Sequence, residues 1–277
     1  MDRPLFIDHR GFPPDSALLG WQINGAPDYT REMIIPKGCI EIIFNFSADR
    51  ISYFLQEKNE VILPRCFISG INTSPVILDH SSHHALFGLR LHPHVIQTLL
   101  SVPSGEFIDQ AIDLTLVDPF FSRLWHQLYP LDFGGRIASI DTWIRQAYNA
   151  SREPYQPHRD LDKAVSGFFD APIRDLTVAR LSEQFCSSQR NLTRKFNELL
   201  GMCTEEAILY KKYLHSLELV HHTRLRLTEI AYESNFYDQS HLTREFKRYT
   251  GLTPKDYRKR KGPVCGHIFT QPGSDPA

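Results

Sequence analysis

Apolar positions repeat with two different periods along the chain, and the change of period divides it in two. In the first half they come in short runs or alternate with polar residues, and the runs are cut by Pro, Gly and Asn-Ser clusters. MIIPKGCIEIIFNFS (33–47) and VILPRCFISGINTSPVILDH (61–80) are rich in Ile, Val and Phe and predict strands. ISYFLQEKNEVIL (51–63) predicts two short strands around Glu57-Lys58-Asn59, and HALFGLRL (84–91) predicts another. Pro93 then suits a first helical turn, HVIQTLLSV (94–102) predicts a short helix, and further helices are predicted over 119–129 and 136–148. NASREPYQPHRD (149–160) holds two prolines and no periodicity, which puts a linker at 151–159.

Beyond residue 160 the period is helical throughout. Helices are predicted near 160–170, 175–185, 188–200, 204–221, 227–234, 238–249 and 254–260, with Ser188 and Asp238 as N-caps, Gly201 and Gly251 as C-terminal caps, and Pro254 opening the last helix. Two of these segments are nearly the same. LTRKFNELLG (192–201) and LTREFKRYTG (242–251) align so that Gln189 matches Gln239, Leu192 matches Leu242, Thr193 matches Thr243, Arg194 matches Arg244, Phe196 matches Phe246 and Gly201 matches Gly251. At 3.6 residues per turn, Leu192, Phe196 and Leu199 share one face, as do Leu242, Phe246 and Tyr249. The opposite face carries Arg190, Thr193, Arg194 and Asn197 in one copy, and Ser240, Thr243, Arg244 and Lys247 in the other. Each copy follows a short amphipathic helix and a tight turn, the arrangement that lays a recognition helix in the DNA major groove.

A single hairpin of this kind is more often a structural element with solvated arginines. Two copies with Arg and Thr at the same outward positions favour a nucleic-acid reader. TEEAILYKKYLHSLELVHH (204–222) would bridge them and set their separation, so that the two outer helices could enter successive major grooves about 34 Å apart. The predicted fold class is therefore α+β with several domains. A β-rich barrel or sandwich with flanking helices spans 1–150, an all-α double helix-turn-helix domain spans 160–262, and a disordered tail spans 263–277. The fragment 155–262 is expected to fold alone.

Charge adds a mild asymmetry. The net charge is −1 overall, but residues 158–277 hold 19 Lys and Arg against 15 Asp and Glu, while residues 1–157 hold 12 against 17. A basic C-terminal part beside an acidic N-terminal part is compatible with nucleic-acid binding by the former. No apolar run approaches the roughly 18 residues of a membrane span, and the N-terminus lacks the apolar core of a secretion signal. Cys39, Cys66, Cys186, Cys203 and Cys265 are scattered and form no CxxC pair. That argues against both a disulfide framework and a structural zinc site, and suits a reducing cytoplasm.

The segment 160–260 resembles the DNA-binding domain of the AraC/XylS family of bacterial transcription regulators. NFYDQSHLTREFKRYTGLTPKDYR (235–258) is similar to the family signature, an F-x-D-Q-S-x-[FL]-x-R-x-F run followed by G-x-T-P-x-x-Y-R. SSQRNLTRKFNELLG (187–201) resembles the looser pattern of the first unit. Asn235 and Cys186 stand where each turn of the family commonly has Gly. The resemblance implies base contacts from Arg190, Thr193 and Arg194 on one helix and from Gln239, Ser240, Thr243 and Arg244 on the other. The chemistry agrees: Arg can bond guanine bidentately, Gln can read adenine, and a Thr methyl can touch thymine. Lys195, Lys247, Arg248, Lys255, Arg258 and Lys259 are the phosphate candidates.

IPKGCIEIIFNF (35–46) and FGLRLHPHVIQTLL (87–100) resemble the sensor-like domain that precedes the DNA-binding domain in an uncharacterised subgroup of the family, with His94 in place of a Gly. By that analogy the N-terminal half binds an effector or mediates dimerisation, and no motif identifies the effector site. His92-x-His94 is similar to the paired histidines of a cupin, but the Glu that should follow is missing and Gln97 takes the nearest slot. His80, His83 and His84 fall in a Ser-rich turn. No metal site is expected. Glu41 and Arg90 lie among strand hydrophobes, which predicts a mutual salt bridge or exposure on the outer face.

The reading that accounts for both halves is a sequence-specific DNA-binding transcription regulator of the cytoplasm. Its expected partners are double-stranded DNA, a small-molecule effector or a second copy of the chain, and RNA polymerase, with no membrane and no cofactor. The alternative is an enzyme that uses the same domain to reach DNA. Such an enzyme needs a reactive Cys in a Pro-Cys-His setting or a four-Cys zinc cluster, and Cys265 sits instead in PVCGH.

Overall fold

Strands in the N-terminal half form where apolar residues alternate between turns, and they assemble into two sheets. The computed structural model describes residues 17–25, 29–55, 59–79, 83–150, 158–173 and 176–270. The first sheet runs β1 (Ala17–Gly25), β8 (His84–Leu91), β3 (Ile40–Asn45), β6 (Cys66–Ser69), β9 (Ala111–Asp113). The second runs β10 (His267–Thr270), β2 (Arg31–Ile34), β7 (Val76–Asp79), β4 (Ser52–Leu55), β5 (Asn59–Ile62). All pairings are antiparallel. β8 has the bounds predicted for HALFGLRL.

Register decides which side chains meet. Ile42 lies opposite Leu89 and Phe44 opposite Phe87, and all four are fully buried. Their period-2 neighbours turn the other way, where Ile43, Phe67 and Leu86 of the first sheet meet Tyr53 and Leu78 of the second. The result is a sandwich with helices on its outer side. These are α1 (Pro93–Leu100), α2 (Leu114–Val117), α3 (Pro119–Leu128) and α4 (Phe133–Ala150). Asp118 caps α3 through the amide of Phe120 at 2.7 Å. Trp125 of α3 donates to the Asn45 carbonyl at 2.8 Å, and the Arg136 guanidinium of α4 lies 4.2 Å from the centre of the Phe46 ring. Glu41 and Arg90 face each other in the β3–β8 register. The Trp21 indole donates to Glu41 at 2.8 Å, and Arg90 reaches Asp170 at 3.0 Å.

The C-terminal half is helical: α5 (His158–Ser166), α6 (Val178–Gln184), α7 (Gln189–Leu200), α8 (Thr204–His222), α9 (Leu227–Glu233), α10 (Gln239–Thr250) and α11 (Pro254–Arg260). The linker predicted at 151–159 falls largely outside the described residues. Among the described residues no helix is long and apolar enough to cross a membrane.

One expectation is corrected by the packing. Part of the segment 263–277, expected to be a disordered tail, is the strand β10, which pairs with β2 from His267↔Ile34 to Thr270↔Arg31. Ile268 enters the core, and His267 is buried beside Glu32. Lys37 Nζ donates to His267 Nε2 at 3.0 Å, which leaves Nδ1–H to donate to the Glu32 carboxylate. Burial first, and the Lys37 charge second, hold this imidazole below the usual histidine range and keep it neutral.

The two halves share one hydrophobic core. Tyr210 of α8 donates to the Asn72 carbonyl at 2.8 Å and accepts from the Gly38 amide at 3.1 Å. Tyr213 donates to the Pro36 carbonyl at 2.9 Å. Both tyrosines are fully buried, so these bonds to the β-sandwich satisfy hydroxyls that water cannot reach. Lys211 between them turns away and donates to the carbonyls of Phe168 and Ala171, and burial lowers its pKa to about 8.

Since Ile268 is buried to 2% exposure on a strand joined to the sandwich, Ile268→Ala should cost about 2–5 kcal/mol of unfolding free energy. Urea denaturation of the full chain measures this, and a cost near zero would mean that β10 contributes no packing.

Candidate nucleic-acid interface

α7 and α10 are built to the same plan. Each begins at a side-chain cap: Ser188 accepts from the Asn191 amide at 3.3 Å, and Asp238 accepts from the His241 amide at 2.7 Å. Each ends at a glycine in the left-handed region, Gly201 and Gly251, both with φ of 71°. Each follows a turn that also needs a left-handed residue, filled by Cys186 (φ 46°) and by Asn235 (φ 57°). Asn adopts this conformation more readily than Cys, so the first turn carries more backbone strain. Leu192, Phe196 and Leu199 are buried on α7, and Leu242, Phe246 and Tyr249 on α10, as the repeat predicts.

The opposite faces are open. Arg190 and Arg194 are exposed on α7; Gln239, Ser240, Arg244, Lys247 and Arg248 are exposed on α10. Arg194 is 58% exposed and bonds Glu198 at 3.1 Å and Asn191 at 2.9 Å. Arg244 is 71% exposed and bonds Glu245 at 3.1 Å. Ion pairs at such exposure are weak, so each guanidinium is free to exchange its partner for a ligand. The threonines are half-buried. Thr193 bonds the Thr204 hydroxyl at the start of α8 at 3.2 Å, and Thr243 donates to the Gln239 carbonyl at 2.8 Å. Both hydroxyls are thus tied back, leaving the methyl as the group either Thr could offer to a base.

Two of the phosphate candidates are elsewhere. Lys195 is 6% exposed, and its ammonium pairs with Asp162 of α5 at 2.7 Å and with Glu198 at 3.4 Å. Arg258 donates to the carbonyls of Val220 and Leu225 at 3.4 and 3.0 Å, capping the end of α8. Lys255 and Lys259 are exposed on α11.

Sequence reasoning missed two features of the interface. The end of α9 and the turn that follows it display Tyr232 and Tyr237 at 80% and 92% exposure, beside a shallow groove that Lys212 and His241 also line. Large aromatics at polar positions of AYESNFYDQ were the available signal. The second feature is a clamp on α7 by the N-terminal half. Ser104 donates to the Leu199 carbonyl at 2.7 Å, and Gln97 donates to Glu198 at 3.1 Å. Gly105 comes so close that a Cβ there would lie 2.1 Å from the Asn197 carbonyl oxygen. α10 packs instead on α8, α9 and α11.

The described histidines of the N-terminal half lie in different settings. His92 and His94 stack at 5.5 Å, His83 bonds Asn24 at 2.9 Å, and His84 is buried in β8. Among the described residues none of these three-atom neighbourhoods holds three metal-ligating side chains. His80 lies outside the described residues.

Residues 181–260 match a family model described as a helix-turn-helix domain, and residues 18–113 match a domain of unknown function (DUF6597). The chain is 28% identical over 100 residues to the HTH-type transcriptional activator RhaR of Enterobacter sp. (strain 638), covering 36% of each protein. It is 26% identical over 134 residues to RhaR of Escherichia coli (strain K12), covering 48% of this chain and 46% of the relative. The matched region thus spans less than half the length of these curated relatives. ToxT from Vibrio cholerae O395 aligns in structure over 90% of this chain and 98% of its own, at 11% identity and a TM-score of 0.48.

Lys195→Ala would leave Asp162 and Glu198 without their ammonium partner in a site little open to water. It should lower the unfolding free energy by about 3 kcal/mol, read by denaturant titration. A change within error would return Lys195 to the exposed, phosphate-facing set.

Proposed function

We propose that this chain, placed by its C-terminal half among the AraC/XylS-family transcription regulators, binds a specific double-stranded DNA site through α7 and α10 together. The observation that carries the reading is the duplicated, open polar face on two helices packed against the same α8. Two such faces on one framework suit successive major grooves on one side of the duplex.

Arg190 and Arg194 on α7, and Gln239, Ser240 and Arg244 on α10, are the side chains positioned to read base edges. The Thr193 and Thr243 methyls are suited to thymine. Lys247, Arg248, Lys255 and Lys259 would hold phosphates, setting affinity and register without reading sequence. The caps at Ser188 and Asp238 occupy the first amides of each helix, so the helix starts are stable before DNA arrives. The β-sandwich then serves as an effector-binding or dimerising unit, and its clamp on α7 supplies a route from one to the other. A cytoplasmic location and contact with RNA polymerase follow from the same reading.

The thiol chemistry supports a regulator over a DNA-acting enzyme. Burial raises Cys39, Cys66, Cys203 and Cys265 above the usual thiol range, opposite to the depressed pKa that a reactive cysteine needs.

Selection of binding sites from a random DNA pool with the full chain tests the proposal. A bidentate Arg–guanine pair contributes about 1–3 kcal/mol of discrimination, roughly 5- to 150-fold. Arg194→Ala and Arg244→Ala should each lose that much preference for the selected site over random DNA, with Arg244→Ala at least as damaging. Lys255→Ala should weaken all sequences alike and lower the salt slope by about 1, while Lys195→Ala leaves the slope unchanged. Wild-type preference retained by both Arg variants would contradict the assignment.

A further inference from the structure

Glu218 and His222 lie one turn apart on α8, and the segment that follows α11 brings Cys265 against them. One ligand atom from each of the three side chains, a carboxylate oxygen, an imidazole nitrogen and a sulfur, lies within 4.8 Å of the other two. Glu218 and His222 are already 3.2 Å apart.

The position of Cys265 is set by its neighbour. Gly266 donates its amide to the buried Tyr257 hydroxyl at 3.1 Å, and its carbonyl accepts from the Ile35 amide at 2.9 Å. Gly266 sits at φ 80°, a left-handed conformation that admits this tight passage. The sulfur is therefore held between the helical domain on one side and the β-sandwich on the other. Glu218 and Cys265 line a cleft of about 690 Å³, which gives an ion a way in.

We propose that Glu218, His222 and Cys265 bind one divalent transition metal of the zinc class, in a three-ligand site with its fourth position open. Mixed sulfur, nitrogen and oxygen donors, three in number, fit tetrahedral Zn²⁺ with a water or external ligand completing the shell. On binding, the ion would take the Cys265 sulfur as a thiolate, its proton passing to solvent, and the Glu218 carboxylate as an oxygen ligand.

Such an ion ties α8, on which both helix-turn-helix units pack, to the segment that enters the β-sandwich as β10. It would stiffen the joint between the halves. The inference concerns ion binding alone and stands or falls separately from the DNA-binding proposal.

Co²⁺ titration of the chelator-treated full chain, followed by displacement with Zn²⁺, tests the site. The expected result is a saturable thiolate-to-cobalt charge-transfer band at one equivalent, with the strong visible bands of tetrahedral cobalt. That band should be lost in Cys265→Ser and kept in Cys186→Ser. His222→Ala, at an exposed position where the fold has little to lose, should weaken cobalt binding and change the visible bands. No saturable band in the wild-type chain, a band that survives Cys265→Ser, or unchanged binding in His222→Ala would overturn the proposal.

Discussion

Two buried hydroxyls on α8 determine how everything else is arranged. Tyr210 and Tyr213 are fully enclosed, and each must find hydrogen-bond partners away from water. A buried hydroxyl left unsatisfied costs about 1–3 kcal/mol, and the partners that prevent this are backbone groups of residues 36, 38 and 72 in the sandwich. Backbone acceptors cannot swing away as side chains can, so α8 is fixed in rotation and height against the β-domain. The same tyrosines pack against Tyr249, Tyr210 edge-on at 5.0 Å and Tyr213 tilted at 4.6 Å, and Tyr213 meets Phe246 at 5.8 Å. The core face of α10 is thereby aligned to the helix that the sandwich holds.

The two copies share a plan but differ in their electrostatic setting. The buried position that holds Lys195 in α7 holds Glu245 in α10. Lys195 is answered by Asp162 and Glu198, and Glu245 by Arg244 and Arg248 on its own helix. α7 therefore spends a cation on internal packing and is clamped to the N-terminal half through Ser104, Gly105 and Gln97. α10 keeps its cations at the surface and packs on α8, α9 and α11.

What the sequence made legible follows from the range of the forces involved. α7 and α10 were readable with their ends because their caps, Ser188, Asp238, Gly201 and Gly251, act within a few residues. β8 was readable because alternation and flanking breaks coincide. β10 was not, since four residues, HIFT, owe their strand to pairing with β2 more than two hundred residues away. The sharing of one core between the halves was hidden likewise, because Tyr210 and Tyr213 look like ordinary positions of an amphipathic helix until their partners are known. The intramolecular partners of Lys195 and Arg258 were hidden for a related reason. A basic residue on a helix flank faces solvent unless another element arrives, and here α5 covers the first and the end of α8 takes up the second. The outward positions of Arg190, Arg194, Gln239 and Arg244 were legible because no other element covers that face.

If α8 holds the two outer helices at a fixed separation, the duplex must present its half-sites at one spacing and on one face. The direct measurement is the affinity of the full chain for its selected site before and after insertion of roughly half a helical turn, about 5 bp, between the half-sites. The account predicts a fall to the level of random DNA, because one half-site is rotated out of reach. Affinity unchanged by the insertion would contradict it, since each helix would then be binding without reference to the other.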